Sequence, residues 1–299
     1  MARAWIRDSG FGIRVVIGKL STYLSFVRFS HSVFALPFAL TGALLAWRNH
    51  PMSWAQAAWI VVCMVSARSA AMGFNRLVDA HHDALNPRTA MREIPRGALT
   101  RAEASVFVIA SSAMFIVAAS RLSTLCLILA PVALVIVFWY SVAKRYTAYT
   151  QLFLGLAMAV APVGGWLAAG GGGGAEPWLL GLAIGLWVGG FDILYACQDL
   201  DFDRGHGLRS IPTRFGIRGA ILLSRLMHVA TIAAMTLLWR VAGLPPLYLV
   251  GVGIVAILLT YEQTLVSDDD LSQVKAAFDL NGYVGIVYFV ATAVSLYLG

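Results

Sequence analysis

Long apolar segments recur along the whole of this 299-residue chain. A transmembrane helix needs about 20 consecutive, mostly apolar residues to cross about 30 Å of hydrocarbon. Only 12% of the residues are charged, which is about half of the share found in soluble domains. A chain of this kind cannot cover itself with a water-facing surface. The pattern therefore predicts an all-α fold that spans a membrane.

The apolar segments predict a polytopic bundle of nine transmembrane helices in a single domain, 1–299. The predicted spans are 24–46, 53–80, 102–120, 123–143, 151–170, 177–198, 219–240, 245–262 and 277–298. Thr100 and Glu103 have the spacing of a capping box, which is expected to open the third helix. The N-terminal stretch has no long apolar region followed by a cleavage site, so no cleaved signal peptide is expected.

Basic residues are distributed unequally between the two sides of the predicted bundle. With a cytoplasmic N-terminus, sixteen Lys and Arg residues fall on the cytoplasmic side and three, Arg48, Arg121 and Arg240, fall on the other. Because Lys and Arg are enriched in cytoplasmic loops, this asymmetry predicts that orientation. The net charge of +7 then reflects topology, membrane lipid and phosphate contacts, and no nucleic-acid partner is expected.

The second predicted helix ends in polar residues spaced four apart, Asn75, Asp79 and Asp83. At about 100° per residue these side chains lie on one stripe of the helix. Arg68 comes eleven residues before Asp79 and has nearly the same azimuth, about three turns deeper in the membrane. This stripe therefore leads from the apolar interior to the cytoplasmic end of the helix.

The sixth predicted helix repeats this arrangement with Asp192, Tyr195, Asp199 and Asp203, which share a face. Both motifs are expected at the cytoplasmic ends of helices that run in the same direction. The alternative without a functional role is that the outer aspartates at each helix end are simply solvated. Two helices with several aligned carboxylates each are harder to explain in this way than one.

Aligned carboxylates within a membrane need a compensating partner, because each costs about 2.5–3.5 kcal/mol to insert and they repel one another. Mg²⁺ suits this task, since it takes carboxylate oxygens and bridges to substrate phosphates. The doubled motif therefore predicts Mg²⁺ and a diphosphate between the two helices.

Basic residues close to the motifs could complete a diphosphate cradle. Arg88 and Arg92 follow the first motif, and Arg209 follows the second. On the fourth predicted helix, Tyr140 and Lys144 are four residues apart on one face. Arginine offers a planar fork for phosphate oxygens, although membrane anchoring explains any single basic residue as well. Lys144 and Arg88 are the favoured phosphate contacts.

Arg68 and Asp192 lie deeper than the rest, where an unpaired charge is most costly. Both are on the motif faces, so they could bind an acceptor molecule or brace one another. The alternative is a structural ion pair between the second and sixth helices.

The paired motifs resemble those of the UbiA superfamily of intramembrane prenyltransferases. Three features carry this resemblance: the NxxxDxxxD pattern that ends at Asp83, the DxxxD pattern from Asp199 to Asp203, and a YxxxK element that ends at Lys144. The segments NPRTAMREIPRGALT and RSIPTRFG are similar to sequence segments of this family. FSHSVFALPFALTGALLA in the first helix resembles the 4-hydroxybenzoate polyprenyltransferase branch. One departure is Arg76, where many members carry Asp.

The resemblance implies nine transmembrane helices around a central cavity that opens to the cytoplasmic side, with Mg²⁺ and a prenyl diphosphate donor. It assigns the metals to Asn75, Asp79, Asp83, Asp199 and Asp203. It also implies that Arg88 and Lys144 contact the diphosphate and that Arg28 lies at the cavity.

The implied reaction moves the prenyl group onto a small aromatic acceptor such as 4-hydroxybenzoate through an allylic carbocation. Haem, chlorophyllide or lipid-ether precursors are alternative acceptors. A transporter whose intramembrane charges line an ion path is a further alternative.

Overall fold

The computed structural model describes Lys19, residues 21–27 and residues 29–298, with the backbone alone for 29–35. These residues contain helices and no strand, so the prediction of an all-α bundle is confirmed. Arg28 lies outside the described residues. The α-helices from Phe29 onward are α1 (Phe29–Trp47), α2 (Trp54–Leu85), α3 (Arg101–Ser120), α4 (Thr124–Ala143), α5 (Thr150–Ala168), α6 (Glu176–Ala196), α7 (Leu200–Gly205), α8 (Ile211–Val241), α9 (Leu247–Thr264) and α10 (Val274–Leu298).

Eight segments of the described chain are long and apolar enough to cross a membrane, and α6 with α7 counts as one of them. The other predicted span corresponds to α1, whose residues from Leu36 to Trp47 form a shorter apolar stretch. The number of spans and their orientation stay predictions.

Several helices begin at capping boxes, in which a hydroxyl and a side chain three residues later satisfy free backbone amides. The predicted box of Thr100 and Glu103 is confirmed at the start of α3. Ser210 and Thr213 form another at the start of α8. This helix begins eight residues before the predicted span, because the box and Pro212 favour a helical start there. It is kinked at Gly216, whose φ of 71° suits glycine.

Two helix boundaries near the motifs differ from the prediction. α2 continues to Leu85 instead of ending at residue 80, so the whole first motif is helical. The predicted sixth helix is interrupted, because Cys197–Asp199 form a 3₁₀ turn between α6 and α7. Such a turn winds more tightly than an α-helix. The four polar residues of the second motif therefore do not share one regular helix face.

Glycines allow α1, α5 and α6 to approach closely. A Cβ atom at Gly155 of α5 would lie 2.2 Å from the carbonyl oxygen of Gly185 in α6. A Cβ atom at Gly165 would lie 2.0 Å from the carbonyl oxygen of Ala39 in α1. Small residues are the usual means of bringing membrane helices together, because lipid gives little hydrophobic drive for helix association.

α6 lies at the centre of the bundle, in contact with α5, α8 and α10. Of the eight candidate spans, the one that contains α6 is the most buried, because 61% of its most apolar stretch lies inside the protein. Because α6 leads directly into the second motif, this helix places that motif from the protein interior.

Candidate active site

The two motifs meet at the end of the bundle where α2, α4 and α6 finish, which we call the polar end. A cavity of about 230 Å³, here the polar cavity, lies between them. Its walls are Asn75, Asp79, His82, Asp83, Asn86, Arg88, Thr89, Arg92, Lys144, Asp192, Asp199, Phe202, Asp203 and Leu208. The expected grouping of the two aspartate motifs around one space is therefore present.

Each carboxylate of the first motif is bound by basic side chains. Lys144 Nζ lies 2.8 Å from Asp79 Oδ2, and Arg145 Nη2 lies 3.4 Å from Asp79 Oδ1. Arg92 Nη1 donates to both oxygens of Asp83, at 2.7 and 2.8 Å. Asp79 and Asp83 are only 4% and 6% exposed. At such burial an unpaired carboxylate would be costly, which explains why cations surround both.

The second motif reaches the polar cavity through Asp199, which Arg88 binds with a two-pronged contact. Arg88 Nε and Nη2 lie 3.1 and 2.7 Å from the two Asp199 oxygens. Arg88 Nη1 donates to the Tyr195 hydroxyl at 3.1 Å. This single guanidinium therefore links the loop after the first motif to the helix that carries the second.

Asp192 and Asp203 also line the polar cavity, and neither forms an ion pair with another described residue. The five carboxylates of the cavity wall outnumber its three basic side chains, Arg88, Arg92 and Lys144. The wall therefore has a formal excess of negative charge, which favours the binding of cations.

The donors of this wall fit Mg²⁺ by type, since carboxylate and amide oxygens are its preferred protein ligands. Among the residues that the structure describes, no three His, Cys, Asp or Glu side chains are arranged as metal ligands. Asp79, Asp83 and Asp199 each contact a basic side chain instead. A metal that binds these carboxylates would therefore have to displace the guanidinium or ammonium groups that contact them.

A second space, here the apolar cavity, has a volume of about 670 Å³ and lies deeper between α2, α4, α5 and α6. Its wall includes Arg68 and Ala71 of α2 and Tyr140 of α4. Asn75 and Lys144, each four residues further along the same helices, line the polar cavity. Four residues correspond to about 6 Å of helix, so the two cavities follow one another along both helices.

The apolar cavity is open at the side of the bundle. Leu129 and Val132 of α4, Leu156 of α5 and Leu182 of α6 line it and are also exposed on the outer surface. In a chain that crosses a membrane, this outer surface faces lipid. The cavity can therefore admit an apolar chain that is longer than the space itself.

Several predicted site residues occupy different places from those expected. Arg68 lines the apolar cavity, Asp192 lines the polar one, and no ion pair joins them among the described residues, so a structural ion pair between α2 and α6 is not what they form. Arg68 Nε is buried without a hydrogen-bond partner in the described chain. Arg209 does not line the polar cavity, and its guanidinium donates to the Tyr146 carbonyl oxygen at 2.8 Å. It therefore fixes the loop after α4.

Three further residues at the site were not expected from the sequence: His82, Asn86 and Thr89. The Asn86 amide lies 3.5 Å from Asp199 Oδ1, and the Thr89 hydroxyl donates to the Asp83 carbonyl oxygen at 3.0 Å. The predicted helix ended at residue 80, so their positions could not be inferred from it. These positions depend on α2 continuing to Leu85. Asn86, three residues after the end of the first motif, was the available signal.

Comparison with known proteins assigns this fold to a family. Residues 35–290 match the UbiA prenyltransferase family, and the chain belongs to that family. It is a multi-pass integral membrane protein and a membrane-bound prenyltransferase.

Individual proteins and solved structures of this family are similar to the chain over most of its length. A 4-hydroxybenzoate octaprenyltransferase of Citrobacter koseri is 30% identical over 245 residues, which is 81% of this chain and 84% of the relative. The apo structure of a UbiA homologue from Aeropyrum pernix K1 superposes with a TM-score of 0.82 at 36% identity, covering 89% of this chain and 98% of that one. A UbiA homologue from Archaeoglobus fulgidus bound to DMAPP and Mg²⁺ shares the fold, with a TM-score of 0.67 at 18% identity and coverage of 91% and 99%.

Proposed function

We propose that this enzyme transfers a prenyl group from a prenyl diphosphate to an aromatic acceptor of the 4-hydroxybenzoate type, with Mg²⁺ as cofactor. One observation carries the proposal: a cavity lined by carboxylates and basic groups is followed, one helical turn deeper, by an open apolar cavity. This pair of spaces matches a molecule with a highly charged head and a long apolar tail. The relatives named 4-hydroxybenzoate octaprenyltransferases support the choice of acceptor class.

The diphosphate binds in the polar cavity in this proposal. Arg88, Arg92 and Lys144 supply the donors for its oxygens, and they become available as their aspartate partners turn to a metal. Asn75, Asp79, Asp83, Asp199 and Asp203 would hold Mg²⁺, which when bound neutralises charge on the departing diphosphate. The proposal assigns no role to Arg28 or Arg209.

The prenyl chain lies in the apolar cavity, with its reactive carbon near the boundary marked by Arg68 and Tyr140. The carbon–oxygen bond of the donor breaks and diphosphate leaves toward the polar end. The electron-rich ring of the acceptor then forms a bond to the allylic cation, and loss of a ring proton restores aromaticity. The apolar walls exclude the water that would otherwise convert the cation to a prenol.

The position of Arg68 supports the proposal that the acceptor carries a carboxylate. It is a cationic group at the edge of an apolar cavity, and its Nε has no hydrogen-bond partner among the described residues. A buried polar group without a partner is costly, and a carboxylate of the acceptor would satisfy it. The carboxylate of 4-hydroxybenzoate meets this requirement, whereas simple phenols do not.

Transfer from a labelled donor tests the function directly. Membranes that contain the enzyme, incubated with labelled geranyl diphosphate, Mg²⁺ and 4-hydroxybenzoate, are expected to yield a labelled, ring-prenylated benzoate. EDTA is expected to abolish the product, and an excess of Mg²⁺ is expected to restore it. The product is measured by chromatography and mass spectrometry.

A panel of acceptors identifies the chemical class. Phenol, which lacks the carboxylate, is expected to react at least about 10-fold more slowly, because Arg68 then stays unpaired. Preferential prenylation of a haem, chlorophyllide or lipid-ether precursor would overturn the acceptor assignment. Full activity in EDTA would overturn the role of the metal.

The apolar cavity is expected to determine which donors are accepted. Ala133 of α4 lines this cavity, whereas Val135, two residues later, is 67% exposed on the outer surface. Ala133→Phe fills part of the cavity, so we expect transfer from farnesyl or longer diphosphates to fall about 10-fold or more relative to dimethylallyl diphosphate. Val135→Phe is the matched control and should keep the wild-type donor profile. An unchanged ratio in Ala133→Phe would place the tail elsewhere.

A further inference from the structure

The C-terminal helix α10 packs along one stripe of α6 that ends at the active site. Trp187, Phe191 and Tyr195 are spaced four apart on α6, so they lie on one side of that helix. The Phe278 ring of α10 lies 5.5 Å from the Phe191 ring and 4.5 Å from the Tyr195 ring, between ring centroids. Asn281, three residues after Phe278, accepts a 2.6 Å hydrogen bond from Trp187 Nε1. α10 therefore touches every member of the stripe.

Buried hydrogen bonds fix the register between the two helices. Asn281 is 0% exposed and also donates to Glu262 Oε1 of α9 and to the Ala277 carbonyl oxygen, both at 2.9 Å. A slip of α10 along α6 would break the bond from Trp187 and leave polar groups unpaired inside the bundle. Such groups are costly where no water can replace the lost partner. Phe278 is thus held at a defined height beside Tyr195.

Tyr195 passes this placement on to the polar cavity. Its hydroxyl accepts the 3.1 Å hydrogen bond from Arg88 Nη1, and the Arg88 guanidinium lies 5.6 Å from its ring centroid. Arg88 also binds both oxygens of Asp199. Since Arg88 is on a loop and its side chain is partly exposed, the tyrosine provides a fixed support that the loop alone does not.

We propose that Phe278 is a positioning residue of the diphosphate site, which acts by holding Tyr195 against Arg88. The inference rests on the proposed function, because it assumes that Arg88 binds the diphosphate of the donor. Phe278 itself does not line the polar cavity. Its removal should therefore weaken binding of the diphosphate and leave the chemical step nearly unchanged.

Phe278→Leu tests the inference through the separation of KM from kcat. Loss of an aromatic pair typically weakens an interaction by about 2- to 10-fold, so we expect KM for geranyl diphosphate to rise within that range. The kcat is expected to change less than about 2-fold. Phe278→Tyr keeps the ring and should restore the wild-type KM. A fall in kcat at unchanged KM would overturn the inference.

Tyr283→Leu is the matched control, because Tyr283 is on the same helix but 67% exposed on the outer surface. It should leave both constants unchanged. In an Arg88→Ala background, Phe278→Leu should raise KM no further, since the group through which it acts is gone. An additive effect in that double variant would show that Phe278 acts by another route. If the leucine variant is not recovered in folded form, Phe278→Met removes the ring at similar volume.

Binding of pyrophosphate separates this inference from the proposed function. The dissociation constant of pyrophosphate in the presence of Mg²⁺ is measured on the purified protein by calorimetry. Phe278→Leu is expected to raise it by the same factor as KM. Wild-type protein that binds pyrophosphate without prenylating any acceptor would overturn the proposed function alone. Equal affinity in Phe278→Leu and wild type would overturn the inference alone, and no binding by the wild type would overturn both.

Discussion

Asp79→Asn and Asp199→Asn are each expected to reduce prenyl transfer by at least about 100-fold, the range typical of losing one group that stabilises transition-state charge. Asparagine keeps the shape of the side chain but removes its negative charge. Each variant then lacks a proposed ligand of Mg²⁺ and leaves basic groups unbalanced, Lys144 and Arg145 in the first case and Arg88 in the second. Initial rates with labelled geranyl diphosphate measure the effect.

Asp201→Asn is the control for this experiment. Asp201 lies two residues after Asp199 in the same motif, yet it is exposed and does not line the polar cavity. This variant should keep wild-type activity. All three proteins should elute as single peaks in size-exclusion chromatography, which excludes misfolding as the cause. Activity above about a third of wild type in Asp79→Asn or Asp199→Asn would contradict the assignment of the motifs.

Gly165→Ala is expected to destabilise the protein strongly, with an expected cost at or above the upper end of the usual 1–3 kcal/mol for overpacking. The added Cβ atom would lie 2.0 Å from the Ala39 carbonyl oxygen, a backbone atom that cannot rotate away. α1 and α5 would have to separate, and the contacts of both helices with the rest of the bundle would loosen. Thermal unfolding in detergent, followed by the loss of the monodisperse peak, measures the effect.

The neighbouring residue supplies an unusually close control. A Cβ atom at Gly164 would meet no other atom within 4 Å, although this glycine is also within α5. Gly164→Ala should therefore unfold at or slightly above the wild-type temperature, because alanine favours the helix over glycine. Equal unfolding temperatures for the two variants would show that the contact between α1 and α5 is looser than described.

The sequence was sufficient for the helical class and for the grouping of the aspartates. Apolar length predicts membrane helices because the bilayer thickness is known, and the four-residue spacing predicts which side chains of α2 share a stripe. Asp79, Asp83, Asp199 and Asp203 do line one cavity, as expected, although the 3₁₀ turn prevents the second motif from forming one regular stripe. The roles of these residues in metal binding stay predictions.

Contacts between different helices were less predictable. Arg68 and Asp192 have suitable depths for an ion pair, but pairing also depends on how far α2 and α6 are rotated, which spacing within one helix does not determine. The 3₁₀ turn at Cys197–Asp199 changes the azimuth of the second motif for a related reason. Arg209 was expected at the phosphate because it is basic and near a motif, whereas its position depends on a backbone carbonyl of another loop.

The side opening of the apolar cavity has a consequence for how a reaction of this kind proceeds in one direction. In the proposed reaction, the prenylated ring is far more lipophilic than the free acceptor, so it could diffuse laterally into the bilayer through the gap beside Val132 and Leu156. Diphosphate, which the proposed mechanism releases at the polar end, would dissolve in the aqueous phase. The two products thus depart into different solvents, and their re-encounter, which reversal would require, becomes rare.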